Sequence, residues 1–378
     1  NGASSTANSQ AFSVAVGGTA LNEVVVGDAT TAGAAVFEAA VDANTITVDG
    51  AAGNTLAIFE GDVNTTVGAT GTIQINNGGT LVIDDAVTTV NGDFTANDTT
   101  GKLVLRGLDG TAPNLITVAG QVGTSAAPIG DLGIGENANG FNNTVDATFS
   151  SDVYANAVTV QNGSTDGTVN TTATFAADVT STTPIAIDGG TVAGNDTNVT
   201  FKVDVTAPVI AFNDDAAATS ATFDGAAAQV VSGDIIGADA AAGTITVDAG
   251  STDVTFEGNI GSTSATLPSG VTANAVNQLD ITGTATATLE GASNEFETIN
   301  VTNGALTVSS GSALTTNGTL TVGATTGTLT NSGNVVVPVG GTLTVNGTYD
   351  AASDGTLTLG VGESGGSLDV GTVTGLAS

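Results

Sequence analysis

Apolar and polar residues alternate with a period of two through most of the chain. Thr-Ile-Thr-Val at 45–48, Ala-Thr-Phe at 173–175 and Thr-Leu-Thr-Val at 319–322 each put every second side chain on one side. Such alternation marks strands with one buried face, and Val, Ile, Thr and Phe suit a pleated surface. No stretch of a dozen residues combines a 3.6-residue period with good helix formers, so helices should be few and short.

The alternation comes in copies. ATFAADVTSTTPIAIDGG from Ala173 is matched by AVFEAAVDANTITVDG from Ala35, ATFSSDVYANAVTVQNG from Ala147 and VTFKVDVTAPVIAFNDD from Val199. Each has a small residue, then Phe, then Val or Ile after a short turn, then a second alternating strand. The phenylalanines at 37, 59, 149, 175, 201, 223 and 256 are separated by 22, 90, 26, 26, 22 and 33 residues. Units of 22–26 residues are too short to be domains and fit single coils of a solenoid, which bury their apolar face only by stacking. Nearer the C terminus Gly-Thr-Leu-Thr-Val at 318–322 recurs at 341–345, with variants at 327–330, 355–359 and 366–370. Asn317-Gly318 and Asn346-Gly347 are hairpin signals, which makes a meander the competing topology. The shared polarity of the strands, Gly-Thr then Leu-x-Val, favours parallel stacking.

The expected fold is therefore all-β, a right-handed parallel β-helix (β-solenoid) of roughly 15 coils. Stacking at about 4.8 Å aligns like residues into ladders. Phe on Phe, Val on Val and Asn on Asn are then favourable, whereas stacked lysines repel. Residues 1–106 read as an N-terminal solenoid segment, 141–300 as a Phe-repeat solenoid and 301–378 as the Gly-Thr-Leu-Thr-Val solenoid. Residues 107–140, with Pro113 and Pro128 and no phenylalanine, read as an irregular lateral insertion or boundary loop, with degenerate coils as the other reading.

Composition narrows the functions. Only 11% of the 378 residues are charged and 4% aromatic, and 53 are glycine. The formal charge is −34, from 37 acidic and 3 basic residues. Nucleic-acid binding needs phosphate neutralisation by Lys and Arg and is excluded, as is an anionic membrane surface. Cations are the favoured partners. No apolar run approaches the ~18 residues of a membrane span. The absence of methionine, even at position 1, points to a processed mature product or a fragment, with an export signal already removed.

Ala/Val-Thr-Phe-x-x-Asp/Asn-Val units mixed with Gly-Thr-Leu-Thr-Val strands resemble the passenger regions of bacterial autotransporters, in particular rickettsial outer-membrane-protein-B-like surface proteins. The likeness is one of repeat style and covers the chain outside about 107–140. It implies a secreted β-solenoid on a bacterial surface, as an S-layer-like coat or an adhesin. The 378 residues depart from that pattern in having no C-terminal β-barrel translocator.

Chemistry-bearing residues are sparse. Histidine and cysteine are absent, which removes Ser-His-Asp catalysis and the usual zinc sites. Lys102 and Arg106 share a strand face as a small basic patch, or pair with Asp98 or Asp109. Two carboxylates suffice for glycoside hydrolysis, but the chain has no Trp and only two Tyr to stack sugars, so no enzymatic activity is expected. Oxygen ligands suit Ca²⁺. The candidate ligands are Asp84 with Asp85, Asp93 with Asp98, Asp214 with Asp215, and Asp234 with Asp239, each pair at a turn; Asp248 with Asp253 is a further pair. The expected function is an exported structural protein that self-assembles into a cell-surface layer or extracellular filament, bridged by Ca²⁺ or other divalent cations and held by a surface anchor. A monomeric adhesin passenger is the alternative, and a β-helix polysaccharide-active enzyme the second.

Overall fold

A computed structural model of the chain describes residues 9–28, 30–50, 55–65, 71–84, 87–107, 114–135, 145–163, 170–190, 192–214, 217–239, 242–248, 252–262, 272–282, 284–323, 326–361 and 367–370. Among them every regular element is a strand, so there is no helix long and apolar enough to cross a membrane. The strands pair in parallel with their counterparts one coil earlier and one coil later, which makes the fold a parallel β-solenoid. The chain divides into two compact units, Asn1–Val199 with Asp215–Ala217, and Thr200–Asp214 with Ala218–Ser378.

In the first unit each coil contributes to three faces. The first face stacks Ser9–Phe12, Ala34–Phe37, Leu56–Phe59, Thr80–Ile83, Lys102–Leu105, Ile129–Ile134, the second half of Val153–Gln161, and Ile185–Asp188. One inward ladder on it runs Phe12, Phe37, Phe59, Ile83, Leu105, Ile134, Val160, Ile187. The second face carries Val16, Val41, Val63, Val90, Val118, Phe149, Phe175. The third carries Val24, Ile46, Ile73, Phe94, Val122, Val153, Val179. From the second coil on, these ladder residues are almost completely buried.

The second unit repeats the arrangement. One face stacks Thr219–Phe223, Ala242–Val247, Val276–Ile281, the second halves of Asn294–Val301 and Ala313–Val322, then Thr342–Val345 and Ser367–Val370. Another stacks the first half of Gln229–Gly237, then Val254–Phe256, Thr286–Leu289, Ala305–Val308, Thr328–Asn331 and Thr348–Ala351. Asn317-Gly318 is not a hairpin. It sits inside the strand Ala313–Val322 at a register shift, where the strand bends from one face to the next. A Cβ on Gly318 would lie 2.6 Å from the carbonyl oxygen of Glu297, so the corner needs glycine's missing side chain.

Stacked rings share the coil spacing. Phe12 and Phe37 are 5.0 Å apart, Phe37 and Phe59 4.8 Å, and Phe149 and Phe175 4.9 Å, all within 13° of parallel. Such contacts contribute about 0.5–1.5 kcal/mol each beyond burial. The phenylalanines do not form one series, however. Phe37 and Phe59 belong to the first face of the first unit and Phe149 and Phe175 to the second. In the second unit Phe223 and Phe256 come from different faces and meet edge-on, at 5.3 Å and 88°.

Within 107–140 the described segments are built as coils, as in the second of the two readings of this stretch. Asn114–Val118 pairs in register with Val145–Phe149, and Ile129–Ile134 with Lys102–Leu105 and with the strand at 155–160. These segments are rungs whose inward Ile116, Val118, Leu132 and Ile134 are at most 1% exposed. Aliphatic side chains fill the core here without phenylalanine, so the aromatic signal lapses while the coil continues. The unit division falls near residue 200 rather than within this stretch.

Candidate functional site

Three kinds of surface carry the chemistry of this chain: acidic corners between faces, polar ladders on the outer faces, and exposed apolar side chains.

At the corners the sheet ladder is interrupted and backbone N–H groups need other acceptors. Aspartates supply them across coils. Asp62 Oδ1 accepts from the Thr88 N–H at 2.9 Å, Asp93 Oδ1 from Gln121 at 2.9 Å, Asp204 Oδ1 from Val230 at 2.8 Å and Asp234 Oδ1 from Asn259 at 2.8 Å. Asp214 takes the Thr219 N–H and hydroxyl on Oδ1 and the Gly243 N–H on Oδ2. Asp98 accepts from Asn77 N–H at 2.8 Å and from Thr100 N–H at 3.0 Å. Burial pushes the Asp98 carboxyl up, but these donors outweigh it and hold the group below its ordinary value of 3.8. Asp28 is lowered chiefly by the Thr30 hydroxyl, helped by the Thr30 and Thr31 amides.

This changes the reading of the proposed calcium ligands. Asp84 is 1% exposed and its Oδ2 is held by Arg106, 2.9 Å from Nε and 2.7 Å from Nη2. Arg106 thus pairs with the preceding coil's Asp84 and not with Asp98, and Asp109 lies outside the described residues. Asp93 and Asp98 serve different neighbours, one the following coil and the other the preceding one. Asp234 is nearly buried, whereas Asp239 is exposed. Asp85 and Asp215 lie outside the described residues. No group of three acidic side chains that could hold a metal occurs among the described residues. Coil stacking sets cross-coil neighbours some 21–29 residues apart, so these aspartates find hydrogen-bond partners on adjacent coils.

One such cross-coil pair is Asp152 and Asp178, each directly before the stacked Val153 and Val179. The Phe-x-x-Asp-Val motif was the signal that could have found it. Tyr154 lies against this corner: burial raises its hydroxyl, the nearby Asp152 carboxylate and a 3.4 Å hydrogen bond to it raise it further, and Asp178 adds to the shift.

Outward positions form polar ladders. Thr117, Thr148 and Thr174 align in the first unit. Thr222, Thr246, Asp280, Asn300, Thr321 and Thr344 align in the second. Side chains bond along such columns, as in Thr172 Oγ1 to Asp146 at 2.6 Å, Asn91 Nδ2 to Asn64 at 3.0 Å, and Asn300 Nδ2 to Asp280 at 2.8 Å. Stacked polar positions therefore satisfy one another.

Some described strands leave apolar side chains exposed. On the first coil Phe12 is 40% exposed, and Val14, Leu21 and Val25 are also exposed. An open cavity of about 310 Å³ sits beneath them, lined by Gln10, Phe12, Val16, Val24, Val26 and Phe37 among others. At Thr356–Leu359 both leucines are 36% exposed, and Val361 beyond them is 88% exposed. No protein-family model, no curated protein and no solved structure matches the chain.

Proposed function

We propose that the chain is an exported structural subunit that assembles with copies of itself into a cell-surface layer or extracellular filament. The observation that carries this reading is the set of apolar side chains exposed on one described coil: Ser9–Phe12 pairs, among the described residues, with Ala34–Phe37, and Phe12, Val14, Leu21 and Val25 are exposed. Soluble proteins usually break up such exposed apolar strands with lysine, proline or bulges, and the stretch 9–16, SQAFSVAV, has neither lysine nor proline. The formal charge of −34 opposes association until counter-ions screen it. Divalent cations at acidic corners such as Asp152 and Asp178 would relieve that repulsion. The likeness of the repeats to autotransporter passengers supports a bacterial surface as the location.

Electron microscopy of the purified chain in millimolar Ca²⁺, repeated after chelation, tests the proposal. Ordered sheets or filaments are expected, dissolving on chelation where cations bridge them. Deleting residues 1–16 should abolish assembly. Isolated particles under every condition of salt and Ca²⁺ would sink the reading.

A further inference from the structure

One outer face of the second unit carries a two-dimensional lattice of threonines. It is built on Val254–Phe256, Thr286–Leu289, Ala305–Val308, Thr328–Asn331 and Thr348–Ala351. One outward column runs Thr255, Thr288, Thr307, Thr330. The column beside it runs Thr286, Ala305, Thr328, Thr348. We propose that this face binds ice. The inference stands apart from self-assembly and does not require it.

The grid is regular, because these strands pair in parallel with no register shift between them. Parallel strands repeat at about 4.8 Å, and outward residues two apart on one strand lie about 6.6 Å from each other. The threonines therefore stand on a nearly rectangular lattice. The prism faces of hexagonal ice repeat their oxygens on a nearly rectangular lattice of closely similar dimensions. Threonine suits the task on two counts. Its β-branch restricts χ1, so the array is rigid before water orders on it. Its hydroxyl both donates and accepts, as each oxygen of ice does.

The hydroxyls are also available. All eight positions are partly exposed. The cross-coil side-chain bonds of Thr172 to Asp146 and Asn300 to Asp280 have no counterpart at these seven threonines among the described residues. Charge is kept away as well. In a chain with 37 acidic residues, the one charged side chain at an outward position of these strands is Asp350, past the end of the first column. Another face of the same unit breaks its threonines with Gln278, Asp280 and Asn300, which bond to one another.

A protein partner fits less well. Five strands of three or four residues cover on the order of 250 Å², well below the ~800 Å² per partner of a stable protein interface.

The test dissolves the full chain at a concentration where it sediments as a monomer, and grows ice slowly into the solution. Growing ice excludes ordinary solutes, so an unrelated acidic protein added alongside stays in the liquid. Wild type should be taken up into the ice. Thr307→Tyr places a ring in the middle of the lattice without touching the core and should abolish uptake with the β-sheet circular dichroism intact. Thr321→Tyr, on the interrupted face, should leave uptake unchanged. If Thr307→Tyr loses its circular dichroism, the decision passes to Thr288→Ser with Thr307→Ser, which keeps both hydroxyls but frees their χ1 and should lower uptake. Wild type left in the liquid with the control would overturn the proposal. So would uptake that survives Thr307→Tyr in a folded chain, survives the serine pair undiminished, or is lost equally in Thr321→Tyr. If Thr307→Tyr instead reduces the sedimenting mass at high concentration and leaves ice uptake intact, the face is a contact between copies and does not bind ice.

Discussion

The coils around Phe149 and Phe175 in the first unit and those around Val322 and Val345 in the second fill their rungs in different ways. In the former, each rung places Ala and Phe inward, as Ala147 with Phe149 and Ala173 with Phe175. In the latter, two aliphatics share the work, as Leu320 with Val322 and Leu343 with Val345. The rule extends elsewhere. Ala35 with Phe37 and Ala57 with Phe59 give way along the same face to Leu81 with Ile83 and Leu103 with Leu105. On the third face of the first unit the order is inverted, Phe94 with Ala96. A solenoid interior has a limited cross-section, so many rungs hold roughly constant volume, with one large and one minimal side chain or two of middle size. Volume-conserving exchanges are the ones a packed core tolerates.

Removing the ring is the hardest test of that comparison. Phe175→Ala would leave two alanines on one rung, next to Phe149, which would lose its stacking partner. The expected cost is about 3–5 kcal/mol, read from urea unfolding followed by circular dichroism. A cost below about 1 kcal/mol, outside the range for a buried ring, would mean that the interior collapses freely around the rung.

Overfilling should cost less, and its rescue is more informative. Ala173→Leu beside an intact Phe175 should destabilise by about 1–3 kcal/mol. Adding Phe175→Val recreates the Leu-x-Val rung of residues 320–322, and the double variant should be more stable than Phe175→Ala and no worse than Ala173→Leu alone. Strict additivity of Ala173→Leu and Phe175→Val, each measured alone and together, would show that the rungs do not conserve volume.

Why the coil was legible and its faces were not follows from the same geometry. A full turn of the solenoid returns the chain to the face it left, so phenylalanines one coil apart are 22–26 residues apart whichever face they occupy. The spacing reveals the coil length and is silent on the face, and Phe37 and Phe149 therefore looked alike. Rungs at 114–118 and 129–134 left insertion and degenerate coils as open alternatives because Ile116, Leu132 and Ile134 fill the core without an aromatic marker. The partners of the aspartates were hidden for a related reason. Asp84 and Asp85 are neighbours in sequence, but the partner of Asp84 is Arg106, and finding it requires the register between coils.

The corners extend the comparison to pH. Around the third-to-first-face corner of the first unit, Asp98 accepts the Asn77 and Thr100 amides. In the C-terminal coils asparagine does similar work: Asn331 Oδ1 accepts the Gly333 amide at 3.1 Å, and Asn334 Oδ1 the Thr356 hydroxyl at 2.9 Å. An asparagine oxygen does not titrate, whereas the Asp98 carboxyl is held below 3.8 in the folded chain. A depressed carboxyl contributes stability that is complete above its unfolded value and is lost as pH falls through the lower, folded one. Acid should therefore release the Asn77 and Thr100 amides while the Gly333 amide stays protected, as amide hydrogen exchange across that range would record. Asp98→Asn keeps an acceptor but removes the charge. It should cost about 1 kcal/mol or less and abolish the pH dependence at Asn77. If Asn77 and Gly333 lost protection together on acidification, the aspartate corner would be no weaker than the asparagine one, and the effect would belong to the net charge of the whole chain.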